Sequence, residues 1–310
     1  MVICDKRDLT PPQSTGGVGI CRAADDSLLA AFNTVEVTKP DQYLFSRQGQ
    51  KQTVINYMAR STDGGVSWSA PRRLDVSPFE YRTGVASKPV LLADKELFVP
   101  LETTPANKTV RTIGAFSSDN GETIGRFFDL GLDDPSGQLN FCDLRFTVLP
   151  DRILAMIWTF RQDDEETVEV HSSVSSDNGR SWSRPRPVGF VGQITAPLDL
   201  GNGIVIAASN YRHPPEGIRL WLSRDGGVHW HRPAVQMWDA RSKRILAEPV
   251  TAPNRRWDKR GVWDALKDFT FGTPDLVPLA DGTIILTYYA TLDNIIHVRA
   301  CRFTLDAAVG

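Results

Sequence analysis

Two aspartates open strand-like stretches where a charge has no cheap reason to be. Asp143 stands in Phe141-Cys142-Asp143-Leu144-Arg145, and Asp275 in Gly272-Thr273-Pro274-Asp275-Leu276. A charge entering an apolar strand is costly unless it is paired or used. Two carboxyls at one site can divide the work on a glycosidic bond. One protonates the leaving oxygen, and the other attacks the anomeric carbon or activates water. Facing carboxyls would also repel, which raises one pKa and prepares that group as the acid. Asp41, Glu102 and Glu216 are further carboxyls in polar connecting segments. Arg145 and Arg212 carry planar forks that bind an anionic group through two parallel hydrogen bonds. Gln193 and Lys88 stand near the starts of two other strand-like stretches, and Arg82 precedes one. The run Tyr211-Arg212-His213-Pro214-Pro215-Glu216 joins an aromatic face, a cation, an imidazole and a carboxylate. Trp158 and Tyr288 offer faces on which a sugar could stack, and Trp158 is equally suited to capping a core. Arg161 belongs to the same kind of segment, whereas His171 lies inside a strand-like run and reads as a sheet histidine. Arg255, Arg256, Trp257 and Trp263 lie in a long insertion that reads either as a lid or as a solvated charge run.

Elements that would position these residues repeat along the chain. Apolar runs pair across Asp/Gly turns at Asp25-Asp26, Asp94-Lys95, Pro150-Asp151-Arg152, Gly201-Asn202-Gly203 and Asp281-Gly282. These are hairpins. A third apolar run follows each hairpin, at 54–59, 110–116, 168–174, 218–222 and 295–303. Four of these five end in one motif, Ser-x-Asp-x-Gly-x-(Ser/Thr)-Trp, at 61–68, 117–124, 175–182 and 223–230, with Ile124 in place of Trp in the second copy and His229 in place of Ser/Thr in the fourth. The Asp can accept from the N–H groups of its own turn, and the Gly can adopt positive φ. A short fourth strand follows the motif, as at Pro71-Arg72-Arg73-Leu74 and Arg186-Pro187-Val188. Four-stranded units in series predict an all-β propeller occupying residues 1–310 as one domain. Five units are legible. The last has no motif and no fourth strand of its own, and residues 1–6 could supply that strand by pairing at 295–303. The span 239–271 is long for a loop and could hide a degenerate unit.

The propeller topology sorts the connections onto two faces. Hairpin turns and motif turns share one face and are short. The other face holds the long, dissimilar loops 34–52, 102–109, 158–167, 210–217 and 239–273. Variable loops on a rigid scaffold carry function. The candidate residues above are therefore expected at the channel mouth on that second face.

The repeated motif resembles the Asp-box (BNR) repeat of sialidases and related β-propellers, and the resemblance runs through nearly the whole chain. It implies six four-stranded blades, with the box as a structural clasp away from the active face. It also implies three arginines for a substrate carboxylate, an Asp acid/base and a Tyr–Glu nucleophile pair. Residue by residue, Gly16-Gly17-Val18 stands where the first of those arginines belongs, and Thr273 stands where the tyrosine belongs. Asp41 falls in the loop that holds the acid/base aspartate.

Composition narrows the function classes. The chain has 310 residues, 41% of them hydrophobic, and a net charge of −2. Near-neutral charge gives no basic face for nucleic acid. No apolar run reaches the roughly 20 residues of a membrane helix, and the start of the chain lacks the apolar core of a secretion signal. The expectation is a cytoplasmic protein, or a secreted or periplasmic one whose signal has been removed. Cys4, Cys21, Cys142 and Cys301 have no metal-binding spacing and read as buried thiols, so neither a metal nor a cofactor is expected. Asn107-Lys108-Thr109 is a glycosylation sequon by pattern. The functional expectation is a carbohydrate-active hydrolase, an exo-glycosidase acting on an acidic or modified sugar. Two alternatives stay open. One is a non-catalytic propeller that binds a glycan or a protein. The other is a polysaccharide lyase using Tyr211 or His213 as base. Oligomeric state is not legible.

Overall fold

A computed structural model describes residues 3, 9, 13–36, 53–79, 83–103, 110–231, 234–250 and 269–306. Asp41, Arg82, the 107–109 sequon, Arg255, Arg256, Trp257, Trp263 and all but one residue of the expected 1–6 strand, Cys4 included, lie outside the described residues. Cys21, Cys142 and Cys301 are free thiols. Among the described residues the strands form five antiparallel sheets. The chain divides into two compact units, one holding residues 1–132 and 175–182, the other 133–174 and 183–310.

The first unit contains two sheets. One joins β1 (Gln13–Arg22), β2 (Leu28–Glu36), β3 (Val54–Ser61) and the two-residue β4 (Arg72–Arg73) in sequence order. In the other the inner strand is split into β5 (Gly84–Val85) and β6 (Val90–Leu91), and both pair with β7 (Leu97–Thr103). That sheet continues through β8 (Arg111–Ser117) to β9 (Gly125–Asp129). Leu29, Ala31, Met58, Leu97, Val99, Leu101, Ile113 and Ala115 form the core between them.

The second unit contains three sheets. The first runs β10 (Leu139–Val148), β11 (Ile153–Arg161), β12 (Glu169–Ser175), β13 (Arg186–Val191). The second runs β14 (Thr195–Asp199), β15 (Val205–Tyr211), β16 (Gly217–Ser223), β17 (Val235–Asp239), β18 (Arg244–Pro249). The third runs β19 (Phe271–Pro278), β20 (Ile284–Leu292), β21 (Ile295–Phe303), and no described strand lies beyond β21. Strand β18 corrects the reading of 239–273 as loop. Asp239 accepts from Ser242 N–H at 2.6 Å, and the chain turns back against β17. Strand β14 contacts both β10 and β19. Large apolar side chains such as Ile206, Leu220, Trp238, Phe271, Leu286 and Tyr288 fill the core between the second and third sheets.

Each motif turn is built as its residues demand. In the first, the Ser61 hydroxyl donates to Asp63 at 2.8 Å and accepts from Gly65 N–H at 2.8 Å, while Ser67 N–H donates to Asp63 at 2.9 Å. The same bonds recur around Asp119, Asp177 and Asp225. The motif glycines Gly65, Gly121, Gly179 and Gly227 have φ of 89°, 84°, 81° and 85°, which a side chain rarely tolerates. Motif turns also dock on the hairpin turn of the preceding sheet. Arg180 pairs with Glu96 at 2.8 Å and Asn178 donates to Asp94 at 2.8 Å, within the first unit. Arg152 donates to the Gly226 carbonyl at 3.1 Å, within the second.

Candidate functional site

The best-defined polar constellation lies in the second unit, around Arg212. This residue follows β15 and is half-buried. Its Nε–H donates to Gln193 Oε1 at 2.6 Å, and the Asn210 amide touches the same oxygen at 3.0 Å. The guanidinium carbon lies 3.7 Å from the Phe269 ring centroid and 4.6 Å from that of Phe271. Cations stack well on such faces. Gly272 keeps the space open, since a Cβ there would come within 2.7 Å of Arg212 Nη2 and 3.4 Å of the Tyr289 hydroxyl. Burial pulls the Arg212 pKa down, and Tyr289 and Glu216 oppose that fall. Among the described residues no carboxylate forms an ion pair with Arg212. Gln193 is 3% exposed, and its Nε2 has no hydrogen-bond partner among the described residues. A cation held by Gln193, Tyr289 and two rings, with no carboxylate ion-paired to it among the described residues, is suited to an anionic ligand.

Asp143 and Arg145 form a second centre, on β10. The pairing of β10 with β11 shifts between Cys142 and Arg145, and Asp143 sits in that bulge at φ 50°. An equivalent bulge interrupts β19 between Gly272 and Asp275, with Thr273 at φ 49°. Bulges re-aim side chains, and strained backbone gathers at functional sites. Asp143 keeps part of its surface open, yet its carboxyl is enclosed by protein. Burial pushes its pKa up, and Arg145 opposes the rise. The cause is therefore desolvation, where a facing carboxylate had been the expected one. Asp275 is half-buried and accepts from Leu276 N–H at 2.9 Å. Strand β14, which begins two residues after Gln193, lies against both β10 and β19, the strands that bear Asp143 and Asp275.

Other candidates have structural surroundings. Trp158 is 4% exposed, donates from Nε1 to Thr167 and packs on Phe160, so its face is taken. Tyr288 is 2% exposed and packs on Trp238 in the core. Its neighbour Tyr289 points to the other side of β20, beside Arg212. Alternation along a strand moves the platform by one residue, and Tyr289 is a site residue that composition alone did not distinguish from Tyr288. Tyr211 is fully buried under Arg219, and His213, also buried, meets it edge to face at 5.2 Å. Glu216 is exposed and close enough to act on the charge of Arg212. In the first unit, Glu102 is the penultimate residue of β7, paired between Gly84 and Thr112. Lys88 packs its backbone on Gly19, and its charge opposes the burial that pushes the Cys21 thiol up to about 12. Among the described residues no cluster of metal-ligating side chains occurs, and no helix is long and apolar enough to cross a membrane.

No curated protein sequence matches the chain. Solved structures do. A protein of unknown function from Dyadobacter fermentans superposes with a TM-score of 0.68 at 17% identity, over 93% of this chain and 76% of that one. Trypanosoma rangeli sialidase in complex with the inhibitor DANA gives 0.63 at 9% identity, over 97% of this chain and 47% of that one. The Hadza microbial sialidase Hz136 gives 0.63 at 15% identity, over 98% and 55%. The chain thus spans about half the length of the sialidases it resembles. At these identities the likeness is one of fold: an all-β, sialidase-like propeller, with five blades among the described residues where the resemblance had implied six. Residues 32–286 match the sequence profile of the BNR repeat-like domain, and the chain belongs to that family.

Proposed function

We propose that the chain is a carbohydrate-active hydrolase that cleaves the glycosidic bond of an acidic sugar. The observation that carries this reading is the Arg212 guanidinium, stacked on Phe269 and Phe271, tied to Gln193 and unpaired with any described carboxylate. In this reading Arg212 binds the sugar's carboxylate and Tyr289 borders the same space. Asp143, whose pKa burial raises, gives its proton to the leaving oxygen, while Arg145 steadies the carboxylate that results. Asp275 is the second carboxyl, acting on the anomeric carbon or through water. No cofactor enters these steps. The fold supports sugar chemistry only by analogy with its sialidase relatives.

A second reading, glycan binding without cleavage, is favoured by one observation. Thr273 occupies the strained, exposed position where the resemblance implies a nucleophilic tyrosine. Chromogenic glycosides of uronic and nonulosonic acids, set beside their neutral counterparts, separate the readings. Hydrolysis is expected from acidic glycosides alone and is expected to vanish in Asp143→Asn. Saturable binding of acidic sugars with no release of chromophore would select the binding reading. Indifference to every acidic sugar would end both.

A further inference from the structure

Seven residues after Arg212 stands a second arginine that no ligand could reach. Arg219, on β16, is 1% exposed. A buried cation is tolerated only when its donors are satisfied, and partners of Arg219 bear on the Arg212 loop. Its guanidinium carbon lies 3.3 Å from the centre of the Tyr211 ring, the residue just before Arg212. Its Nη2 donates to the Pro215 carbonyl at 3.3 Å, and its Nε to Gln236 Oε1 at 3.3 Å. Gln236, on β17, donates from Nε2 to the Glu216 carbonyl at 3.1 Å and to the Trp238 carbonyl at 3.0 Å. The start and the end of the loop are thus clamped from beneath by one guanidinium and one amide. Burial pulls the Arg219 pKa down to about 10, so the clamp stays charged at neutral pH.

We infer that Arg219 is a positioning residue whose buried guanidinium, with Gln236, holds the 211–217 loop so that Arg212 keeps its bond to Gln193 and its binding edge. The inference rests on the reading of Arg212 as the anion anchor only for its consequence in binding. The geometric claim stands separately and is tested separately. Nitrogen-15 NMR of the arginine side chains gives the direct readout. The Arg212 Nε–H, bonded to Gln193, should exchange slowly with water, and Arg212→Lys identifies its signal. In Arg219→Met that signal should exchange at least about tenfold faster, while melting stays cooperative. Arg219→Lys keeps the charge without the fork and should not restore slow exchange. Where Arg219→Met does not fold, Gln236→Met frees the adjoining Glu216 carbonyl at the same end of the loop and should have the same effect. Slow Arg212 Nε–H exchange in whichever of these variants folds would overturn the inference. Titration with N-acetylneuraminic acid and glucuronic acid then reads the consequence, a loss of affinity on the order of tenfold in the same variants. If Arg212→Met binds both acids as the parent does, the anchor reading fails while the exchange result still decides the role of Arg219.

Discussion

Asp143 and Arg212 are two site residues whose surroundings change their chemistry. Asp143 has its pKa raised in the folded chain by burial, against the pull of Arg145. A raised folded pKa stabilises the protonated native state at low pH, and that contribution is lost as pH rises through the raised value. Asparagine tolerates the same positive φ and does not titrate. Asp143→Asn should therefore melt close to the parent in acid and increasingly above it as pH rises past the ordinary carboxylate range, while turnover is lost. Melting curves across pH check this, and a difference independent of pH would show that folding does not raise the Asp143 pKa. Arg212 is expected to act in binding. Arg212→Met keeps the stacking on Phe269 and Phe271 but removes the fork. It should weaken acidic-sugar binding by about 2 kcal/mol, in the range of a charge-assisted hydrogen-bond pair, with thermal stability little changed. Calorimetric titration beside melting measures both.

At the scale of elements, what carries a period was legible and what lacks one was not. The hairpins and four motif turns were readable because turn chemistry and apolar runs recur together. Strand β18 was not, because Arg244–Pro249 is almost wholly exposed and has no alternation. The two-residue β5 and β6 were likewise too short to leave a pattern. In the site, Arg212 and Gln193 were visible as polar residues beside strands. Tyr289 and Arg219 were not, since burial on one face of a strand is a tertiary fact. The bulges that place Asp143 and Thr273 at positive φ had no marker beyond polar residues entering a strand. The motif turns yield a prediction of their own. Burial would raise Asp119, Asp177 and Asp225, but hydroxyl and backbone donors outweigh it and hold them at about 2. Asp63 is held at about 2 by the Ser67 hydroxyl, the Ser67 N–H and the Ser61 hydroxyl. A depressed folded pKa contributes stability above the unfolded value, roughly 4, and loses it as pH falls through about 2. Acid unfolding should therefore steepen between those values. Asp177→Ala should cost about 1 kcal/mol at neutral pH, flatten the acid limb and leave activity per folded molecule unchanged. Lost activity at unchanged stability would move the turn from clasp to site.

At the scale of the whole molecule, charge separates two ways of holding an anion. The chain carries 35 basic and 37 acidic residues, a net charge of −2. Such a surface gives no long-range attraction for polyanions, and a ligand bound through many surface cations would release many counterions. Arg212 is instead a single half-buried cation stacked on two rings and partly desolvated by its surroundings. Salt screens exposed charges beyond a Debye length of about 8–10 Å and reaches buried pairs much less. Acidic monosaccharides should therefore keep their affinity, within about threefold, between 50 and 300 mM sodium chloride, a range set by one shielded contact rather than many. Heparin and DNA, with charge spread along a chain, should bind no more tightly than one terminal acidic sugar does. Titrations of glucuronic acid, N-acetylneuraminic acid, heparin and duplex DNA at both salt concentrations provide the comparison. A steep fall with salt, or preference for the polymers, would place recognition on an extended surface and away from the Arg212–Gln193 centre.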